Sequence, residues 1–208
     1  MSYFSPSAAA ALVRSYPVIG VSGSRSISEP ISALVSSFSQ SLAVRSFRGR
    51  VFVGCASGVD ACVRAAVPAA ALSVFSVVRG GRVPAWAFAR RSARMVESIA
   101  AARGVLVAFP SSSLPHPSVV PCKSWRSARG SGTWGSVALA VGLGSGCLLW
   151  SPSLVGASAS PVLGACPLSS RFSFLGSCSS GRGSWWWCAP SFPFPVSVPV
   201  SSEQLSLF

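Results

Sequence analysis

Three glycine-bearing turns in this chain each follow an apolar, strand-like run or open a helical one. They read Val18-Ile19-Gly20-Val21-Ser22-Gly23-Ser24-Arg25, Val51-Phe52-Val53-Gly54-Cys55-Ala56-Ser57-Gly58-Val59-Asp60 and Arg129-Gly130-Ser131-Gly132-Thr133. Glycine lets backbone N–H groups approach a phosphate closely, and a helix starting at the turn adds the positive end of its dipole. The chemistry this pattern predicts is binding of a phosphate-bearing ligand: a nucleotide, a nucleotide derivative or a nucleic-acid strand. The expected contacts are Gly20, Gly23, Ser24 and Arg25 from the first turn and Gly54, Ser57, Gly58 and Asp60 from the second. Gly130, Ser131, Gly132 and Thr133 come from the third. The competing reading is an ordinary strand-to-helix turn at each place, with Ser131 or Thr133 as a helix cap.

Asp60 admits two roles, and they are compatible. It could hold a ribose hydroxyl, as acids do in dinucleotide folds, or favour the first turn of the helix it opens. Arg90, Arg91 and Arg94 lie in one helical segment, where spacing puts Arg90 and Arg94 on a common face. They could clamp phosphates or form a solvated basic face, and Glu97 is the one acid near them.

Composition supports a polyanionic partner without proving one. The chain carries 17 Lys and Arg, all arginine except Lys123, against Glu29, Asp60, Glu97 and Glu203, for a net charge of +13. Such a balance attracts polyanions at long range, and arginine suits bidentate phosphate contacts better than lysine does. A biased codon composition would enrich arginine as well. The 7 cysteines form no CxxC pair and His116 is the single histidine, so no metal site and no cofactor are expected. An odd cysteine count fits a reducing compartment. The apolar run 8–13 lacks preceding basic residues, which argues against a secretory leader. No apolar stretch reaches the ~18–20 residues that span a bilayer. The expectation is a cytoplasmic chain with no membrane association. His116 sits in a proline-rich loop and reads as exposed.

The elements that must hold these turns alternate between strand and helix. Strands are predicted over 18–22, 51–54, 72–78, 105–109 and 147–150. Helices are predicted from Ser28, as cap, through about 45, then over 60–67, 85–102 and 133–143, with a polar loop over 111–129. The helix and strand flanking Gly142–Gly146 account for the apolar stretch 137–150. This alternation predicts an α/β fold: a parallel sheet flanked by helices, with ligand loops at its carboxyl edge. Residues 1–150 form that domain. Residues 151–208 read as an irregular Ser/Pro/Trp-rich tail with a weak period of two near 196–200. Its Trp185-Trp186-Trp187 could stack on bases, meet a membrane interface or dock on the core, and docking is the preferred reading.

In order and spacing, these motifs resemble one Rossmann-like superfamily, often called SLOG. The segment 51–60 resembles the strand-Gly-x-Ala-x-Gly-Ile/Val-Asp run of DNA-processing protein A. Phe88-Ala89-Arg90-Arg91-Ser92-Ala93-Arg94-Met95 resembles that family's Phe-x-x-Arg-Asn-Arg-Ile-Ile run and the Arg-Lys-x-x-Met run of the Lonely-guy family. Gly130-Ser131-Gly132-Thr133 resembles the glycine-Thr turns of both, and the likeness covers about residues 16–150. The resemblance implies a pocket for single-stranded DNA, a nucleoside monophosphate or a nucleotide-derived signal, in DNA processing or nucleotide sensing. It also implies self-association, for which Trp and Phe in the tail offer surface. Lonely-guy members cleave a base from a riboside monophosphate with a Glu three residues after the turn's Thr, where this chain has Ser136. N-glycosidic cleavage is therefore the alternative function, with Asp60 or Glu97 left to supply a carboxylate.

Overall fold

The computed structural model describes residues 3–43, 47–77, 84–112, 114–125, 131–152, 166–178 and 183–192. Its organising element is a strand buried at all five positions, Val105–Phe109. Continuous burial of an apolar run marks a strand covered on both faces. The strands in chain order are β1 (Val18–Gly23), β2 (Arg50–Gly54), β3 (Leu72–Phe75), β4 (Val105–Phe109), β5 (Gly146–Pro152), β6 (Ser173–Ser177) and β7 (Gly183–Cys188). They form one sheet in the order β3-β2-β1-β4-β5-β7-β6. The first five run parallel, and β7 and β6 extend the sheet antiparallel beyond β5. The fold is α/β with a mostly parallel, Rossmann-like sheet flanked by helices, as the alternation of elements predicts.

Helices α1 (Pro6–Val13), α2 (Glu29–Leu42) and α3 (Val59–Ala66) cover one face. Their Ala9, Val13, Leu34, Phe38 and Val63 share a core with Ile19, Val21, Val107, Phe109, Trp150 and Trp185. Helices α4 (Ala85–Ala101) and α5 (Gly132–Gly142) cover the other. There Met95, Ile99, Trp134 and Leu139 pack with Leu106, Ala108, Cys147, Leu149 and Trp186. Alternate residues of β4, β5 and β7 thus feed opposite cores, the period of two expected of a strand.

Local signals explain most boundaries. Pro68 stands just past Val67, the C-cap of α3, as a residue that cannot extend a helix should. Ser28 stands at the N-cap of α2 with Pro30 in the first turn, but its side chain makes no capping hydrogen bond. Its backbone carbonyl instead accepts from Ile31 and Ser32 N–H, at 3.0 and 2.9 Å. Strand β3 ends at Phe75, short of the predicted 78. The apolar run 8–13 is a helix whose Ser5 hydroxyl accepts from Ala8 N–H at 3.0 Å.

Periodicity in the sequence does not reveal strands β6 and β7. For β7 the reason is burial on both faces: Trp185 belongs to one core, Trp186 and Cys188 to the other. A strand of that kind shows no polar alternation. Trp185 packs on Phe38 and Phe109, with ring centroids 6.1 and 5.8 Å apart. The tryptophan run therefore docks in the core. The weak alternation near 196–200 lies outside the described residues. Among the described residues, no helix is long and apolar enough to cross a membrane.

Candidate functional site

The chain winds outward from β1 through β2 to β3, then crosses back over β1 to β4 and β5. The loops leaving β1 and β4 therefore diverge and open a crevice at the carboxyl edge. In open α/β sheets that switch point is where ligands bind. A hydrogen bond from Ser24 N–H to the Phe109 carbonyl, 3.0 Å, ties the two strand ends together at its base.

The first two turns are interlocked. The Ser24 carbonyl accepts from Val59 N–H at 3.0 Å. The Ser57 hydroxyl donates to the Arg25 carbonyl at 3.1 Å. Gly58 has φ +66°, and a Cβ there would strike the Ser24 and Arg25 backbone. Only glycine fits that combination of left-handed φ and backbone approach. The Ser24 hydroxyl is engaged within its own turn, donating to the Ser26 carbonyl at 2.6 Å and accepting from Ser26 N–H at 3.2 Å.

The second turn is fastened from below by three charged side chains. Asp60 Oδ2 accepts from Ala56 N–H and from Arg91 Nη1, each at 3.2 Å. Arg64 donates to the Gly54 and Ala56 carbonyls at 2.6 and 2.9 Å. The Arg91 and Asp60 side chains are 8% and 6% exposed. Gly54 leaves the space this pair needs, because a Cβ there would fall on the Arg91 guanidinium and the Asp60 carboxylate. Burial pushes the Asp60 carboxyl above its ordinary value, and Arg91, Ala56 N–H and Arg64 pull it back only in part. Sequence reasoning passes over Arg64; its one signal is the i+4 spacing from Asp60 on α3.

The three arginines of α4 separate. Arg91 points inward to Asp60, whereas Arg90 and Arg94 are exposed. Arg25 is exposed too and stacks on Phe88 of α4, 4.6 Å from the ring centroid. One turn before Arg90, Trp86 is 64% exposed.

The third turn opens α5. Ser131 is its N-cap, accepting from Trp134 N–H at 3.4 Å, and Trp134 Nε1 donates to the Ser112 hydroxyl at 2.8 Å. The second bond fixes the helix start beside the end of β4. Ser131 and Gly132 are exposed, Thr133 is buried, and a Cβ at Gly132 would meet nothing within 4 Å. Helix α5 has no acidic residue in its own first turn to offset its positive end. Gly130 lies outside the described residues.

The structure thus brings Gly23, Ser24, Arg25, Gly54, Ser57, Gly58, Asp60, Ser131, Gly132 and Thr133 to one edge of the sheet. Gly20 is set apart: it lies buried within β1 against the Ile99 side chain and serves helix packing. Ser136 is buried and its hydroxyl donates to the Gly132 carbonyl at 2.9 Å. His116 is exposed and bonds locally to Ser118. Among the described residues, no group of three or more His, Cys, Asp and Glu could hold a metal ion. No protein-family model, curated protein or solved structure matches the chain.

Proposed function

We propose that the chain binds a nucleotide or nucleotide-derived ligand in the crevice at the carboxyl edge, with its phosphate at the start of α5. The observation that carries this reading is the exposed, uncharged helix start at Ser131-Gly132, fixed beside the β1–β4 switch point. A helix start stabilises an anion through its first N–H groups and its dipole. Arg25 and Arg90 add exposed cations, and the interlocked turns at Ser24 and Gly58 give the crevice a hydrogen-bonded floor. The resemblance of these motifs to the Rossmann-like SLOG superfamily supports the same ligand class.

Single-stranded DNA is the second reading, favoured by the exposed Trp86, Arg90 and Arg94, spaced one turn apart along α4. An aromatic platform followed by arginines along one helix suits stacked bases and a phosphate backbone. N-glycosidic cleavage gains no support: Ser136 holds the position of the family's carboxylate, and Asp60 is committed to Arg91.

The test is binding of the full chain to a labelled single-stranded oligonucleotide across a salt series, with AMP as competitor. A small-ligand pocket predicts weak oligonucleotide binding and an AMP-dependent rise in Tm. A strand-binding role predicts tight binding that falls steeply with salt and ignores AMP. A chain that neither binds the oligonucleotide nor is stabilised by any nucleotide would overturn both readings.

A further inference from the structure

We propose that Cys147 and Cys188 are a reversible redox pair, joined by peroxide into a disulfide that latches the antiparallel strands onto the parallel sheet. The two residues are directly opposite in the β5–β7 ladder. Opposed residues of antiparallel strands have Cα atoms about 4.5 or 5.5 Å apart, depending on the pair type. Both spacings lie within the roughly 4.4–6.8 Å that a disulfide spans. Their side chains emerge on the same face, since both belong to the core beneath α4 and α5. Both are free thiols. Among the described strands this is the one register that sets cysteine against cysteine.

The pair has a direction. Cys147 is 0% exposed and Cys188 6%, so an oxidant reaches Cys188 first. Burial raises both thiols, Cys147 well above the ordinary value and further because of Cys188. For Cys188 the charge of Arg171 opposes that rise, which favours it as the attacking thiolate.

The chemistry balances with hydrogen peroxide as oxidant. The Cys188 thiolate attacks one peroxide oxygen; the S–O bond forms, the O–O bond breaks, and hydroxide leaves to become water with the thiol's proton. Cys188 is then a sulfenic acid. The Cys147 sulfur attacks the Cys188 sulfur, the S–S bond forms, the S–O bond breaks, and the departing hydroxide takes the Cys147 proton. Two thiols are oxidised by two electrons and one peroxide becomes two waters. A small dithiol reverses the step by exchange.

The consequence is redox-dependent stability of β7, the strand that delivers Trp185 to the core. The pair sits at the amino end of β5, ~16 Å along the strand from its carboxyl end and the loops of the candidate site.

The experiment treats the full chain with stoichiometric hydrogen peroxide, then measures intact mass, peptide linkage and Tm. The expected result is loss of two hydrogens, a 147–188 cross-linked peptide, and a Tm raised by about 5–10 °C and restored by dithiothreitol. Cys188→Ala should leave Cys147 unmodified under the same treatment. Linkage to other cysteines, sulfinic acid without a cross-link, or a cross-link formed only in denaturant would overturn the proposal. The peptide map of the unmutated chain decides it even where the variant folds poorly.

Discussion

Arg91 Nη1 lies 3.2 Å from Asp60 Oδ2 directly over the Cα of Gly54, so a helix on one face of the sheet reaches past a strand end to a helix on the other. This pair fixes the second turn of the site, and its two members are not equivalent. A carboxyl deprived of its partner can take up a proton, whereas a guanidinium cannot lose one. Asp60→Ala should therefore cost about 3–5 kcal/mol, the range for breaking a buried pair, and Arg91→Ala less. Urea melts of the two variants check the order.

The same pair sets a pH dependence with a definite sign. Burial holds the folded Asp60 carboxyl above its ordinary value, so the folded state favours the protonated form. Its contribution is complete below the unfolded value of about 3.9 and is lost as pH rises through the folded one. The Tm of the native chain relative to Asp60→Asn should fall as pH rises from about 3 to 7. A difference that grows with pH would contradict this account of the pair.

Gly58→Ala should be among the most damaging single substitutions in the loops. The position needs φ +66° and lies against the Ser24 and Arg25 backbone. Strain of this kind costs on the order of 1–3 kcal/mol before any clash is counted. Denaturant melts should show the loss, and nucleotide affinity should fall with it as the first two turns are pushed apart.

Arg90 and Arg94 are exposed, so their removal should change stability by no more than about 0.5 kcal/mol. Arg90→Ala with Arg94→Ala should nevertheless flatten the salt dependence of oligonucleotide binding, by about 0.7 in log–log slope for each phosphate these side chains neutralise. An unchanged slope would remove this helix face from any strand-binding surface.

Trp185→Ala should cost about 3–5 kcal/mol, as loss of a fully buried aromatic does. The Trp185 indole N–H has no hydrogen-bond partner, so Trp185→Phe removes an unsatisfied donor and should cost much less. Thermal melts of the two variants compare them directly.

The sheet and its helices are legible in the sequence because apolar runs such as 105–109 and the spacing of Leu34, Val35, Phe38 and Leu42 each obey a single period. Helix α1 reads only as an apolar run, since its alanines bury too little to stand out; Ser5-Pro6 is its start signal. Strand β7 is illegible because Trp185, Trp186 and Trp187 are apolar whichever face they serve. At the site, the first two glycine turns leave β1 and β2, and Gly132 opens α5. What spacing does not reveal is tertiary: Gly20 faces a helix and not a loop, and Arg91 turns inward while its neighbours do not. Arg64 and Arg91 look alike in sequence to any solvated arginine, and only the approach of α3 and α4 to Gly54 separates them.

The proposed phosphate site at the start of α5 is probed by Gly132→Ala. A Cβ at Gly132 meets nothing, so folding does not need glycine there. Alanine should leave stability unchanged or raise it by up to about 1 kcal/mol. Isothermal titration of AMP into the full chain should give saturable binding, weakened about tenfold or more in the variant, ~1.4 kcal/mol. Binding of equal strength in both proteins, or none in either, would contradict it.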